Sequence, residues 1–165
     1  MKVAVCPGSF DPVTQGHMDI IRRASELFDR VIVVVMTNAS KTPLFSQAER
    51  VALIRRSLEE EHLDNVSVDG YDGLLADYLK ICGATVIVKG LRAVSDFEYE
   101  FQMALTNRRL NPAAETVFLT TNAEYMYLSS SLVKQVASYG GDIAGFVPAC
   151  IVSDIQSKYR KDLKL

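Results

Sequence analysis

Pro7-Gly8-Ser9-Phe10-Asp11-Pro12-Val13-Thr14-Gln15-Gly16-His17 divides a short apolar run, Val3-Ala4-Val5-Cys6, from the pattern Met18 to Phe28. The run reads as a first β-strand. The pattern beyond it has helical spacing, with Ile20, Ile21 and Ala24 on one stripe. Strand, small-residue turn and helix form a layout that turns backbone N–H groups toward an anion. Gly8 and Gly16 allow a sharp turn or a close approach to a ligand. His17 falls in the first helical turn, where the dipole end favours negative charge. Alone, such a histidine is more ordinarily a cap or a packed residue. The flanking loop reverses that reading and points to phosphate handling.

The same alternation of strand and helix runs through the chain. Val31 to Met36 is an uninterrupted apolar run, expected as a central strand buried on both faces. Ser46 with Glu49 makes a capping box for a helix carrying Val51, Ile54 and Leu58. Glu59-Glu60-Glu61 is read as a solvated face. Val66 to Val68 is a third strand. Asp72 is expected to cap a helix with Leu74, Leu75, Tyr78, Leu79 and Ile81, ended by Gly83. Ala84 to Val88 is a fourth strand. The helix after it reaches about Arg109 with Phe97, Phe101, Ala104 and Leu105 on one face, and Pro112 marks the break. Thr116 to Thr120 is a fifth strand. Ser129-Ser130-Ser131 opens a further helix that ends at Gly140-Gly141, and Pro148 introduces a last one over about 147–161, with a frayed basic tail. The expectation is α/β: one domain over 1–165, with a Rossmann-like, doubly wound, five-stranded parallel sheet.

Composition narrows the function. The 165 residues suit one domain, and 48% are hydrophobic, enough for a core. The net charge is −2 and the pI about 5.7. That argues against a nucleic-acid partner, so an anionic ligand needs local basic groups. Cys6, Cys82 and Cys150 lack paired spacing and read as reduced thiols of a cytoplasmic protein. Neither a signal peptide nor a transmembrane run is expected, and no membrane partner.

In such sheets ligands bind beyond the carboxyl ends of the strands, where the strand order reverses. Those ends carry Ser9 and His17, then Lys41, then Lys89, Gly90 and Arg92, and finally the serines at 129–131. Cations, hydroxyls and two helix N-termini on one edge suit a triphosphate. No Walker loop, nucleophile elbow, dinucleotide fingerprint or metal cluster competes.

Gly-Ser-Phe-Asp-Pro followed by Thr-x-Gly-His resembles the signature of the nucleotidyltransferase superfamily. Lys89-Gly90-Leu91-Arg92-Ala93-Val94-Ser95-Asp96-Phe97-Glu98-Tyr99-Glu100 resembles a block of one family, phosphopantetheine adenylyltransferase. Leu128 to Lys134 resembles its second nucleotide motif. The likeness covers nearly the whole chain.

The resemblance implies transfer of an adenylyl group from ATP to 4′-phosphopantetheine, giving dephospho-coenzyme A and pyrophosphate. It implies ATP contacts at Ser9, Phe10, His17, Gly90, Leu91, Arg92 and Glu100, and along Tyr125, Met126, Tyr127, Leu128, Ser129, Ser130 and Ser131. It places Ser9, Lys41, Leu75 and Lys89 at the acceptor, and makes His17, with Lys41, catalytic as a transition-state stabiliser. It implies Mg2+ held by substrate phosphates rather than by the protein, a homohexamer, and coenzyme A as an inhibitor. Lys89 departs from the family, where Arg is common: a point charge replaces a planar fork. The readings that stand beside this one are another nucleotidyltransferase, cytidylyl- or nicotinamide mononucleotide-specific, and a non-catalytic nucleotide sensor on the same fold.

Overall fold

The structure, a computed structural model, describes residues 1–160. β1 (Val3–Gly8) leads into α1 (Gln15–Leu27), followed by β2 (Arg30–Met36), α2 (Gln47–Glu60), β3 (Val66–Tyr71) and α3 (Leu75–Cys82). Then come β4 (Val86–Leu91), α4 (Val94–Leu110), β5 (Glu115–Thr120), α5 (Ser130–Ser138) and α6 (Val152–Arg160), with 3₁₀ turns at Ala123–Tyr125 and Ala149–Ile151. All strand pairs are parallel, in the order β3-β2-β1-β4-β5. The expected α/β class and five-stranded sheet are what the chain forms.

Alternation along the strands builds two cores. Ala4, Cys6, Val31, Val33 and Val35 face one side, where α1, α2, α5 and α6 bring Met18, Ile21, Ile54, Val133 and Ile155. Val5, Ile32, Val34 and Ile87 face the other, where α3 brings Tyr78 and Leu79. Helices on both faces explain why β2 is buried from Val31 to Val35. Strand order reverses between β1 and β4, which share only the registered pairs Ala4–Val86 and Val5–Ile87. Beyond those pairs the two strands part, and a crevice opens at their carboxyl ends.

Several local expectations give way. β1, β3 and β4 run further than hydropathy suggests, because ladder bonds to a neighbour do not depend on side-chain type. Lys89 and Gly90 thus lie in β4, opposite Phe118 and Leu119. Asp72 does not cap α3, which starts after Leu74 without a side-chain cap. Its carboxylate instead accepts hydrogen bonds from Thr37 Oγ1 and Gln47 Nε2. Leu74 and Ile81 are exposed rather than inward. Glu61 is not simply solvated, since Arg22 grips it with two bonds of 2.9 Å. Lys158 is ordered within α6, with Nζ 2.8 Å from Glu49 Oε1 and above the Phe45 ring. Tyr159 and Arg160 also belong to α6, and residues 161–165 of the expected tail, with residue 161 of the expected last helix, lie outside the described residues. The largest departure is α4. Its expected apolar face is not core: Phe97, Phe101 and Leu105 are 46%, 48% and 55% exposed, and only Asn107 on that helix is buried.

Candidate active site

A cavity of about 650 Å³ fills the crevice. Its walls come from the β1–α1 loop, the β2–α2 loop, the end of β4, one face of α4, the 3₁₀ turn and the start of α5. Of the residues singled out in the sequence, Ser9, Phe10, His17, Lys41, Lys89, Gly90, Arg92, Glu100, Tyr125, Leu128, Ser129, Ser130 and Ser131 line it. Leu75, Leu91, Met126 and Tyr127 do not. Leu75 packs against the α3-side core. Leu91 ends β4 and accepts the Thr121 N–H at 2.9 Å. Met126 is exposed, and Tyr127 meets the Phe146 ring edge-on.

His17 is both a cap and a cavity residue. Thr14 is the N-cap of α1, and its backbone N–H donates to His17 Nδ1 at 3.0 Å. Thr14 Oγ1 lies 3.1 Å from the same nitrogen and accepts the His17 N–H at 3.3 Å. This is a capping box with histidine in the place Glu or Gln usually takes. An amide N–H can donate only to an unprotonated nitrogen, so the ring proton sits on Nε2. Burial first, then the charges of Lys89 and Arg92, push the His17 pKa down to about 4. The imidazole is therefore neutral at pH 7, with one N–H to give.

The box also consumes donors that the sequence pattern assigns to an anion. Gln15 N–H goes to Phe146 O at 2.8 Å and His17 N–H to Thr14. The start of α5 keeps more of its donors. Ser129 caps only Leu132 N–H, and the Ser130 and Ser131 amides, first in the helix and without a backbone partner, belong to residues that line the cavity.

Both glycines of the signature line the cavity, and only one is demanded by local packing. Gly8 is needed because a Cβ there would stand 2.9 Å from the Phe10 ring. Phe10 is buried, holds φ 48 and meets His17 edge-on at 5.0 Å between centroids. A Cβ at Gly16 would meet nothing closer than 3.5 Å.

The cation of β4, Lys89, and the one just after it, Arg92, are held by α4. Lys89 Nζ lies 3.4 Å from Glu100 Oε1, and Arg92 Nε 3.1 Å from Asp96 Oδ2. Asp96 and Glu100 are one helical turn apart, so one face of α4 serves both. Arg92 also donates to Leu128 O at 2.8 Å, and Ser130 Oγ to Pro12 O at 2.7 Å, tying the second nucleotide block to the first loop. Lys41 is exposed at the cavity edge.

Sequence reasoning gave no role to Asp11, Thr14, Arg50 or Lys134, which also line the cavity. The first two and Lys134 lie inside recognised blocks, which was their only signal. Arg50 sits in a polar helical stretch and carried none. Cys6 also borders the cavity, but burial pushes its thiol up to about 12, so it is no nucleophile.

A family profile described as cytidylyltransferase-like matches residues 5–136. Proteins named phosphopantetheine adenylyltransferase are similar along nearly the whole chain. That of Alkaliphilus metalliredigens is 58% identical over 96% of this chain and 99% of its own. That of Caldanaerobacter subterraneus is 53% identical over 98% and 99%, and that of Clostridium novyi 56% identical over 98% and 99%. Among solved structures, a putative nicotinate-nucleotide adenylyltransferase from Vibrio parahaemolyticus superposes with a TM-score of 0.70. It covers 98% of this chain and 97% of its own at 19% identity, a likeness of fold.

Proposed function

The chain belongs to the phosphopantetheine adenylyltransferases, within the cytidylyltransferase-like family, and from that premise we infer how its cavity carries out the transfer. The enzyme moves the adenylyl group of ATP onto 4′-phosphopantetheine, yielding dephospho-coenzyme A and pyrophosphate. An acceptor phosphate oxygen forms a bond to the α-phosphorus as the bond to the α–β bridging oxygen breaks. The observation that carries the site assignment is the convergence of Lys41, His17, Lys89, Arg92 and the α5 N-terminus on one cavity.

The acceptor is already an anion at neutral pH, so a strong base is unnecessary. The obstacle is repulsion between two polyanions and the need to align them in line. Lys41 and Lys89 hold the acceptor phosphate. Arg92 and the free amides of α5 hold the triphosphate. His17, neutral and fixed through Nδ1, donates Nε2–H to charge that grows on the transferring phosphoryl group. The transfer is direct. Thr14, the hydroxyl against the imidazole, is buried as the α1 cap, and the Cys6 thiol stays protonated.

Magnesium belongs to this reading as a companion of the triphosphate. The cavity carboxylates Asp11, Asp96 and Glu100 are each paired to a cation. Among the described residues no three His, Cys, Asp or Glu side chains group as a metal cage. That donor set fits an ion coordinated by phosphate oxygens and water, which would offset triphosphate charge. Coenzyme A, which shares the acceptor's arm and a nucleotide, fits the same cavity as an inhibitor. The bare apolar face of α4 supports assembly into a homohexamer. The free thiols suit a reducing cytoplasm. Among the described residues no helix is long and apolar enough to cross a membrane.

A pyrophosphate-release assay tests the reading, with ATP, magnesium and 4′-phosphopantetheine against a panel of other phosphorylated acceptors. Release that requires 4′-phosphopantetheine is expected. Release with nicotinamide mononucleotide or with CTP instead would reassign the acceptor or the nucleotide, and ATP binding without release would make the protein a sensor.

A further inference from the structure

Two buried charged residues join the two loops that rim the cavity, and neither is paired to the other. Asp11, 6% exposed, leaves the β1–α1 loop and reaches the β2–α2 loop. Its Oδ1 accepts the Phe45 N–H at 2.9 Å, and its Oδ2 accepts the Leu44 N–H at 2.8 Å and Lys134 Nζ at 3.1 Å. Arg50, 3% exposed, reaches the other way from the start of α2. It donates through Nη1 to Ser9 O at 2.7 Å and Met36 O at 3.3 Å, and through Nε to Phe45 O at 3.1 Å. The first loop's carboxylate grips the second loop's amides, and the guanidinium beyond the second loop grips the first loop's carbonyl.

Lys41 rides on the arc between these anchors. Met36 O is held at one end, and Leu44 and Phe45 at the other. The arc is kept short by the Lys41 N–H to Asn38 O bond of 3.1 Å and by the Asn38 side chain, which accepts the Ser40 N–H at 3.0 Å. Ser9 and His17 stand on the loop and helix start that the same clamp holds. Burying full charges is costly unless every bond is made, and apolar side chains could close the same space. What an apolar filling could not do is fix one loop's height and register against the other.

We propose that Asp11 and Arg50 are positioning residues that form a reciprocal clamp between the two loops and so set where Lys41 stands relative to His17. The proposal rests on the reading of Lys41 as a contact to the acceptor phosphate. A displacement of about 1 Å between two reactants can cost on the order of a hundredfold in rate, so such a clamp acts on turnover and acceptor use rather than on ATP affinity.

The test is a double-mutant cycle between Asp11→Asn and Lys41→Ala, with pyrophosphate release as readout and ATP affinity by calorimetry. The unaltered enzyme is assayed first; its failure to turn over would sink the functional reading and leave the clamp to the exchange measurement below. Asp11→Asn turns one carboxylate oxygen into a donor that faces another N–H. It is expected to lower kcat/KM for the acceptor by about tenfold or more, with ATP affinity changed less than about twofold. In the Lys41→Ala background the same change should cost less than about threefold. Additive losses, or an equal loss of ATP affinity, would overturn the proposal. If Asp11→Asn fails to fold, Arg50→Lys takes its place in the cycle with the same expectation. Independently, amide hydrogen exchange on the unaltered chain should find Leu44 and Phe45 strongly protected although they lie outside helix and strand; rapid exchange there would also overturn it.

Discussion

The Thr14 backbone N–H points at Nδ1 of His17, 3.0 Å away, and that one bond decides which ring nitrogen carries the proton and is left to donate. Capping and chemistry are usually offered as alternatives for a histidine at a helix start. Here the cap fixes the tautomer and orients the Nε2–H, so the structural role is the means of the chemical one.

The two roles separate by substitution. His17→Ala removes both and should cut turnover by on the order of a hundredfold or more while ATP affinity holds. It should also lower stability by about 1 kcal/mol through the lost cap. His17→Gln restores the side chain that capping boxes ordinarily carry, so its thermal melt should return toward that of the native chain without recovery of full turnover. A Gln variant that melts as low as the Ala variant would show that the box contributes no stability.

Stability should fall with acidity in a defined window. His17 takes up a proton near pH 6.5 in the unfolded chain and near 4 in the folded one. Between those values the unfolded state binds more protons, so lowering the pH destabilises the fold. Below about 4 both states are protonated and the loss levels off. The ceiling on this contribution is about 3 kcal/mol. Urea melts from pH 7 to 4 should show a steeper decline for the native chain than for His17→Gln. Parallel declines would assign the acid sensitivity to other groups.

Lys89 should prove to be an acceptor contact tuned by Glu100. Lys89→Met leaves a carboxylate without its partner at 3.4 Å and should raise the acceptor's KM by about tenfold or more, with a smaller effect on ATP. Lys89→Arg keeps the charge and supplies a fork that can hold Glu100 and a phosphate together, so the acceptor's KM should match or fall below the native value. Steady-state kinetics with each substrate varied would decide; a larger change for ATP in either variant would reverse the assignment of the subsites.

The exposed face of α4 should be covered in solution. Phe97 and Phe101 stack on each other at 5.6 Å, an aromatic pair left outside the core. Light scattering is expected to give a mass near six times the 18.3 kDa of one chain. Phe97→Glu with Phe101→Glu should reduce that mass while far-ultraviolet circular dichroism stays native. A native chain that runs as a monomer would remove the support α4 gives to the hexamer.

Much of this protein is readable in one dimension because the signals are local and periodic. The apolar run of β2, the capping box at Ser46 and the alternation of strand and helix need no partner to be recognised, and they dictate a parallel sheet with a site at its carboxyl edge. The motif blocks supplied the chemistry, and most of their residues meet in one cavity. What the chain could not disclose depends on neighbours distant in sequence. Phe97, Phe101 and Leu105 have the spacing of a core helix, and only the layer they occupy shows that the core lies elsewhere. Asp72 looks like a cap until Thr37 arrives from the end of β2 and Gln47 from the start of α2. Arg50 carries no signal along the chain, yet folding takes it out of water and sets it on four backbone carbonyls. Local sequence determined which elements form and roughly where ligand must bind. Tertiary structure alone decided which charges are spent on holding loops and which remain for substrate, because a polar group's partner is fixed by packing and not by its position along the chain.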